Sequence, residues 1–352
     1  MTFLKPRLLP GFFVLCIFAL MQQTPFLEAV SVTKNYDDSK ASGVNNISIS
    51  IEPGKITAIV GESGSGKSTL LKLLYGLLSP DEGKVSFRGE EIWGPEIKLI
   101  PGHDSMKMVT QHTDDLNLFA TVYENIAQLL PNTDIEYKAS ETEKHLKQLN
   151  IDRLRSKRVF DLSGGEKQRV AIARSLIKKP EVLLLDEPFN QVDASFREGL
   201  QQNIRTIVQE TGLTVILVSH DPAEVLSMAD ELVVIRNGEI VESGSPEALY
   251  RQPQMLYTAK LLSNRTILNK EEALLCGIKT EKEVVAIGPE NVILTSSLTR
   301  KDWAVKQILF KGFFEDVILE KDGVTLRATN LEKGRFTEGD KVHIRISSYL
   351  EY

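Results

Sequence analysis

Cysteine is scarce in this chain. Its 352 residues include two cysteines, Cys16 and Cys276, which lie far apart in unrelated sequence contexts. Two such positions provide neither the close spacing of a metal site nor the paired cysteines of a disulfide framework. Both of those classes of protein are excluded, and the scarcity indicates a reducing compartment.

An excess of positive charge is also absent. Lys and Arg together number 42 and Asp and Glu 48, which gives a formal net charge of −6. Proteins that hold nucleic acid by its phosphates carry a basic field. The charge balance therefore predicts no nucleic-acid partner. With a hydrophobic fraction of 42%, the composition is that of a folded chain long enough for two domains.

The N-terminus lacks an apolar run of membrane-spanning length. Leu8–Met21 contains fourteen uncharged residues after Lys5 and Arg7, whereas a spanning helix needs about 20 apolar residues. The run has the length of a signal-peptide core, but no small-x-small cleavage site follows it. We interpret residues 1–25 as a hydrophobic N-terminal segment with a mis-assigned start and Met21 as the true start. A membrane anchor and a secretion signal are the alternatives.

The sequence does contain a phosphate-binding loop in the expected context. The β-branched run Lys55–Val60 reads as a buried strand, and Leu70–Leu77 opens a helix. Glycines between them let several backbone N–H groups converge on one anion, and the helix adds its positive end. Lys67 provides charge for the β- and γ-phosphates, and Ser68 a hydroxyl for Mg²⁺. We predict that the chain binds a nucleoside triphosphate through Gly61, Glu62, Ser63, Gly64, Ser65, Gly66, Lys67, Ser68 and Thr69.

Two adjacent carboxylates follow a second buried strand. Val182–Leu185 is a continuous apolar run that suits a strand covered on both faces, and Asp186 and Glu187 come directly after it. The carboxyl ends of strands in an α/β sheet form its ligand crevice. We predict that Asp186 helps to hold Mg²⁺ and that Glu187 orients the attacking water.

A capped helix start with two glycines is the second distinctive stretch. Ser163 has the character of an N-cap, and Glu166 stands three residues later as in a capping box. Gly164 and Gly165 are poor choices for helix stability, but they leave bare N–H donors that a phosphate can approach. The helix is predicted to run to Lys179.

The ordered set of these motifs resembles the ATP-binding subunits of ABC transporters. The resemblance covers residues 26–262 and rests on residues 61–69, Gln111, residues 162–169, residues 185–188, Asp193 and His220. It implies a P-loop NTPase ABC domain with an antiparallel edge sheet and a helical insert at about 112–160.

The resemblance also implies roles for individual residues. Two subunits would sandwich two ATP molecules in a two-fold dimer, with the P-loop of one facing Ser163, Gly164 and Gly165 of the other. Gln111 is the expected lid residue that reaches the metal and contacts the permease. His220 is the expected switch that bonds the γ-phosphate, and Tyr36 the ring that stacks on adenine.

One loop departs from the family pattern. After Pro188 the chain reads Phe-Asn-Gln-Val before Asp193, where importers usually have Ser-Ala-Leu-Asp. Asp193 alone matches, so contacts of Asn190–Val192 across a dimer are left open.

The C-terminal part points to an importer. Short alternating runs broken by Lys-Asp-Gly, Glu-Lys-Gly and Glu-Gly-Asp turns predict a small all-β domain. Residues 288–352 resemble a TOBE domain, an OB-like module of import subunits for polyamines, ferric iron, oxyanions or sugars. Residues 263–287 are predicted to be a linker. A generic small barrel is the alternative.

Together these features predict an ATP-hydrolysing subunit that energises solute import through a separate membrane permease. ATP and Mg²⁺ are the expected cofactors. The expected partners are a second copy of the chain, the permease and, indirectly, a solute-binding protein, and the expected location is the cytoplasmic face of the inner membrane. An exporter or lipoprotein-release ATPase, or a non-transport ABC ATPase, is the alternative.

Overall fold

A computed structural model of the chain describes residues 24–36, 43–98, 100–111, 115–295 and 302–352. The hydrophobic segment predicted for residues 1–25 lies outside this part of the chain, except for its last two residues. Within the described residues no helix is long and apolar enough to cross a membrane.

Strands and helices alternate in the N-terminal part. Its strands are β1 (Leu27–Asn35), β2 (Gly43–Ile51), β3 (Ile56–Val60), β4 (Glu82–Phe87), β5 (Glu90–Glu91), β6 (Met106–Val109), β7 (Val182–Asp186), β8 (Thr214–Ser219), β9 (Glu231–Arg236) and β10 (Glu239–Gly244). Its helices are α1 (Lys67–Tyr75), α2 (Val122–Ala127), α3 (Ile135–Gln148), α4 (Gly164–Leu176), α5 (Ala194–Thr211), α6 (Pro222–Met228), α7 (Pro246–Arg251) and α8 (Leu256–Leu262). The predicted helical insert at 112–160 contains α2, α3 and two short 3-10 turns.

The central sheet has the strand order β10-β9-β3-β8-β7-β6. Strands β9, β3, β8, β7 and β6 are parallel, and β10 pairs antiparallel at one edge. Strands β3, β7 and β8 are buried at every residue, as parallel strands covered on both faces should be. The phosphate-binding loop and the carboxylate pair follow two of these strands at the same edge.

Two cores cover the two faces of this sheet. On β7, Leu183 and Leu185 pack with α4 and α5, whereas Val182 and Leu184 pack with α1 and the edge sheet. The edge sheet has the order β2-β1-β4-β5 and is antiparallel throughout. An α/β domain with an antiparallel addition was predicted, and the structure confirms it.

Two helix boundaries differ from the sequence-based prediction. Helix α1 begins at Lys67, earlier than predicted, and ends before Gly76, whose φ of 83° is left-handed. Helix α4 was expected to reach Lys179 but ends at Leu176. Lys179 has a left-handed φ of 51° and precedes Pro180, which disfavours the helical conformation in the residue before it.

The C-terminal part is built from antiparallel strands. They are β11 (Thr266–Asn269), β12 (Val284–Ile287), β13 (Val292–Thr295), β14 (Trp303–Phe310), β15 (Glu315–Lys321), β16 (Val324–Asn330), β17 (Lys341–Ile346) and β18 (Leu350–Glu351), with helix α9 (Lys270–Leu275) between β11 and β12. They form sheets of order β11-β12-β18 and β13-β17-β14-β15-β16. A small β region after the α/β part was predicted and is confirmed.

The segment at 263–287 was predicted to be a linker and has regular structure of its own. This segment contains β11, α9 and β12, and its Leu268, Ala273 and Val285 belong to the same core as Trp303. The apolar runs in this segment are too few and too short to predict two strands and a helix from the sequence. Together their side chains form part of the C-terminal core.

Candidate functional site

The phosphate-binding loop connects β3 to α1 and depends on glycine at two close approaches. A Cβ atom on Gly61 would lie 2.2 Å from the carbonyl oxygen of Ile235. At Gly66, which has a φ of 102°, a Cβ atom would lie 2.4 Å from the carbonyl oxygen of Gly43. Any side chain at either position would displace backbone, so the loop shape itself selects these glycines.

Lys67 lies at the start of α1 with its side chain inside the cradle. Its Nζ donates a hydrogen bond to the carbonyl oxygen of Glu62 at 2.8 Å. Burial lowers the pKa of Lys67, and the nearby charges of Glu187 and Asp186 oppose that change. The partner of this ammonium is a neutral carbonyl, so a phosphate oxygen would offer it a stronger, charge-assisted bond.

Ser68 and Asp186 place two oxygen donors side by side. Ser68 Oγ donates to Asp186 Oδ1 at 2.9 Å, although the two residues come from α1 and β7. Burial raises the pKa of Asp186, and the hydrogen bond from Ser68 and the charge of Lys72 oppose the rise. A hydroxyl and a carboxylate are hard oxygen ligands of the type Mg²⁺ prefers, and Mg²⁺ commonly binds one or two protein groups plus phosphates and water. The residues present therefore fit this metal.

Glu187 is held in an unusual backbone conformation. Its φ of 49° is left-handed, which is uncommon for a residue with a side chain and concentrates at functional sites. Its N–H donates to the carbonyl of Val218 at 3.0 Å. Its carboxylate contacts two side chains: Oε1 lies 3.3 Å from His220 Nδ1, and Oε2 accepts a hydrogen bond from Asn190.

Several of these groups line one open cleft of about 710 Å³, whereas Asp186 and Asn190 are not among its lining residues. Its lining combines Tyr36, Gly43, Glu187, His220 and the loop residues Ser63, Gly64, Gly66, Lys67, Ser68 and Thr69. Tyr36 is half exposed, and its hydroxyl accepts a hydrogen bond from Thr69 Oγ1 at 3.4 Å. Two members of the site were missed in the sequence: Gly43, which gives no signal until it is seen against Gly66, and Asn190, whose departure from the family pattern could have drawn attention.

Gln111 lies at the same edge of the sheet but outside that lining. It follows β6, whose Val109 pairs with Leu185 of β7, so it lies near the level of Glu187. Its carbonyl accepts a hydrogen bond from Gln191 Nε2 at 3.4 Å. The structure thus joins Gln111 to the loop after Glu187 through its backbone.

The Ser163 motif lies apart from the cleft within the chain. Ser163 N donates to Glu166 Oε2 at 2.9 Å and Ser163 Oγ accepts from Glu166 N at 3.3 Å, which completes the predicted capping box. A Cβ atom on Gly164 would lie 3.1 Å from the Gln191 side chain, and one on Gly165 would lie 3.1 Å from Val192 Cα. The two glycines therefore also let the loop after Glu187 approach closely, a reason for glycine that the sequence did not indicate.

A phosphate cradle between a parallel strand and a helix, with a carboxylate pair at the end of β7, defines a P-loop nucleoside-triphosphatase. Comparison with known proteins narrows this class. Residues 44–190 match the family profile described as "ABC transporter". The spermidine/putrescine import ATP-binding protein PotA of Acetivibrio thermocellus is 31% identical over 347 residues, which cover 94% of this chain and 96% of the relative. PotA of Pasteurella multocida is 32% identical over 300 residues, 78% of each chain.

Solved structures agree with this placement. The structure of cbiO1 from Clostridium perfringens, part of the ABC transporter complex cbiONQ, has a TM-score of 0.58 at 29% identity and covers 65% of this chain and 92% of its own. A dimeric ATP-binding cassette in a post-hydrolysis state bound to ADP and Pi has a TM-score of 0.54 at 26% identity and covers 62% of this chain and 98% of its own. The chain belongs to the ABC transporter family, as an ATP-binding subunit of the importer type.

The biochemical prediction from sequence is therefore confirmed at the level of class. The chain is an ATP hydrolase that energises solute import. The exporter and lipoprotein-release alternative has no support among these relatives.

Proposed function

We propose that the chain hydrolyses Mg²⁺-bound ATP in the cleft between the phosphate-binding loop and Glu187. The observation that carries this proposal is the 2.9 Å contact between Ser68 Oγ and Asp186 Oδ1, beside Lys67 and opposite Glu187. Ser68 and Asp186 would hold the metal, with Gln111 completing the set, and bound Mg²⁺ would neutralise charge on the β- and γ-phosphates. Loop N–H groups and Lys67 hold the phosphates, and Tyr36 stacks on the adenine ring.

Glu187 and His220 act on the reacting end of the nucleotide. Glu187 orients the water that attacks the γ-phosphorus by accepting a hydrogen bond from it, and then takes up its proton. His220 donates a hydrogen bond to a γ-phosphate oxygen. Its contact with Glu187 Oε1 at 3.3 Å fixes the positions of the His220 and Glu187 side chains relative to each other. The left-handed backbone of Glu187 supports this role, because strained residues cluster where chemistry is done.

A second copy of the chain completes the site. Ser163, Gly164 and Gly165 present a capped helix start that lines no part of the cleft in their own chain. In a two-fold dimer the same residues of the partner would close over ATP and add N–H donors to the γ-phosphate. The ADP- and Pi-bound relative described as dimeric supports this arrangement.

Glu187→Gln in the full chain tests both steps. Removing the general base should lower kcat by about two to three orders of magnitude, while ATP still binds because Lys67 and the loop are intact. Stalled ATP should then hold two copies together, since a ligand bound across an interface stabilises it by mass action. Turnover is measured by phosphate release and size by light scattering with and without Mg²⁺–ATP. Normal turnover, or a monomer at saturating ATP, would contradict the assignment.

The proposed solute is a polyamine, imported through a membrane permease to which this chain binds on the cytoplasmic side. The relatives named as spermidine/putrescine import proteins support this choice. An exposed apolar surface on the helical insert supports permease docking. Phe119 and Phe160 are 78% and 65% exposed, and the Phe160 N–H donates to the carbonyl of Leu118 at 2.8 Å. A solute-binding protein would contact the permease rather than this chain.

Phe119→Ser separates docking from hydrolysis. In vesicles that contain the permease, uptake of labelled spermidine should fall by about tenfold, because a buried aromatic anchor contributes 2 kcal/mol or more at an interface. Basal ATP hydrolysis of the isolated chain should stay within about twofold, since surface changes away from a site act weakly. The matched control is Phe313→Ser, an equally exposed phenylalanine (75%) on the C-terminal β14–β15 loop. Equal uptake in the two variants would contradict this docking surface, and no spermidine uptake with the wild-type chain would contradict the solute.

A further inference from the structure

A partly buried ion pair lies next to the His220 segment and outside the lining of the cleft. Glu224 on α6 is 5% exposed. Its Oε2 accepts a hydrogen bond from Ser219 Oγ at 2.5 Å, and its Oε1 lies 3.2 Å from Arg197 Nη1 on α5. The same Nη1 lies 3.5 Å from Asp221 Oδ2. One arginine thus reaches two carboxylates on α6 and at its N-cap.

This cluster fixes the residues on both sides of His220. Ser219 Oγ donates to Glu224 and accepts from the Asp221 N–H at 3.0 Å. Asp221 Oδ1 accepts from Ala223 N at 2.9 Å and so caps α6. The His220 ring is itself more than half exposed, so its direction is set mainly by the backbone that these neighbours hold.

Arg197 is also hydrogen-bonded to the loop after Glu187. It lies in the first turn of α5, where its N–H donates to the carbonyl of Asp193 at 3.1 Å. Asn190, in the same loop, donates to Glu187 Oε2, and Glu187 Oε1 contacts His220. The contacts form a closed ring that runs from Glu187 to His220, through Ser219 and Glu224 to Arg197, and back through the loop to Glu187.

We propose that Arg197 is a positioning residue for ATP hydrolysis, which holds the His220 segment and the loop at 189–193 at a fixed separation around Glu187. The proposal rests on the function proposed above for Glu187 and His220. Arg197 acts through Glu224 and Asp221 and touches neither ATP nor the attacking water. Its loss lets His220 move relative to Glu187 while the phosphate-binding loop, on the other side of the cleft, stays as it is.

The charge and burial of the pair support a role beyond packing. Burial raises the pKa of Glu224, and the hydrogen bond from Ser219 and the charge of Arg197 oppose that rise. A buried ion pair adds little stability over apolar residues of the same volume, but removing one partner leaves an uncompensated charge. Loss of Arg197 should therefore disturb the Ser219–Asp221 backbone directly, because Glu224 has to find a new partner there.

The chain provides a matched control on the same helix. Arg205, two turns further along α5, also joins this helix to α6: its Nη1 donates to the carbonyls of Ser227 and Met228 at 3.2 and 3.1 Å. Those carbonyls lie at the far end of α6 from His220. Both arginine side chains are about one third exposed. Arg205→Met should therefore lower stability as Arg197→Met does, without reaching the site.

The experiment compares Arg197→Met, Arg197→Lys and Arg205→Met in the full chain by kcat, KM, affinity for a fluorescent ATP analogue, and Tm. For Arg197→Met we expect kcat to fall about tenfold, with KM and analogue affinity within about twofold, since positioning affects the transition state more than the ground state. Arg197→Lys should restore most of kcat because it keeps the charge near Glu224. Arg205→Met should lower Tm comparably and leave kcat within about twofold.

Equal kcat values for Arg197→Met and Arg205→Met would overturn the inference, as would parallel losses of kcat and analogue affinity. If Arg197→Met does not fold, Glu224→Gln decides, because it keeps the volume and removes the charge that Arg197 pairs with. Its kcat should fall several-fold at constant KM, and a wild-type kcat would overturn the inference. Glu187→Gln separates the two proposals: if it is inactive while Arg197→Met is normal, only this inference fails, whereas normal turnover in Glu187→Gln removes the proposed site and this inference with it.

Discussion

Two buried carboxylates, one in each half of the molecule, are equally hidden but differently satisfied. Asp186 at the end of β7 is 7% exposed, and Glu315 at the start of β15 is 8% exposed. Asp186 accepts a hydrogen bond from Ser68 Oγ. Glu315 accepts from the Gly334 N–H at 3.1 Å and from Asn330 Nδ2 at 3.2 Å.

This difference in hydrogen-bond partners distinguishes a ligand-binding carboxylate from a structural one. Glu315 has its partners within the fold, and they tie β15 to the loop after β16, so the group stabilises what is already there. Asp186 is buried with fewer protein partners, beside a cleft that a charged ligand can enter. A similar degree of burial thus serves stability in the C-terminal part and ligand binding in the N-terminal part. Substitutions on the two sides should change different measurements.

Lys67→Ala should have the largest effect and should change ligand binding alone. A hydrogen bond to a charged group contributes about 1.5 to 3 kcal/mol, so ATP affinity should fall by about 10- to 100-fold. The free energy of unfolding without nucleotide should change little, because Lys67 is bonded to a neutral carbonyl there. Affinity is measured by calorimetric titration with Mg²⁺–ATP. Lys55→Ala, at an exposed ion pair before β3, is the control, and an equal loss in both variants would contradict the role of Lys67.

Glu315→Ala should show the opposite pattern. It leaves the Gly334 N–H without its acceptor and removes one of the two acceptors of Asn330 Nδ2. A buried group left unsatisfied costs about 1 to 3 kcal/mol. The free energy of unfolding should fall by that amount in urea melts, and ATP affinity should not change. Glu320→Ala on the same strand removes an exposed contact to Lys306 at 2.7 Å and should cost less than about 0.5 kcal/mol. Loss of ATP affinity in Glu315→Ala would break the comparison.

Asp186→Asn should change the free energy of unfolding less than Glu315→Ala does, and in the stabilising direction. Burial raises the pKa of Asp186 above its ordinary value of 3.8. At pH values between 3.8 and this raised pKa, the folded state therefore binds more protons than the unfolded state. The contribution of this group to the free energy of unfolding therefore falls as pH rises through that window. At neutral pH the asparagine variant should be more stable by about 0.5 to 1 kcal/mol, although it loses ATP hydrolysis.

The pH dependence sharpens this test. The stability difference between Asp186→Asn and the wild type should shrink as pH is lowered through the raised pKa of Asp186, because the wild-type carboxyl then takes up its proton. Urea melts across the pH range in which both proteins fold measure it. A variant that is less stable than the wild type at neutral pH would show that the Ser68 contact outweighs burial.

Local sequence determined the parts of this protein that chain neighbours decide. The phosphate-binding loop was predictable because a buried strand, a glycine-rich turn and a helix start occur in immediate succession, and the glycines are selected by backbone shape. The carboxylate pair was predictable because an uninterrupted apolar run before it indicates a buried strand. The capping box at Ser163 depends on residues three positions apart.

Tertiary structure alone decided the contacts between distant segments. His220 meets Glu187, and Arg197 meets Glu224, because the neighbouring parallel strands β7 and β8 bring their carboxyl ends together from separate parts of the chain. Gly43, at the start of β2 in the edge sheet, meets Gly66 in the loop after β3 of the central sheet. The sequence of 263–287 likewise resembles that of a linker, and only the structure shows that its few apolar residues pack in the core of the C-terminal sheets. A pattern read along the chain records local conformation, whereas hydrogen-bond partners and burial depend on which segments pack against each other.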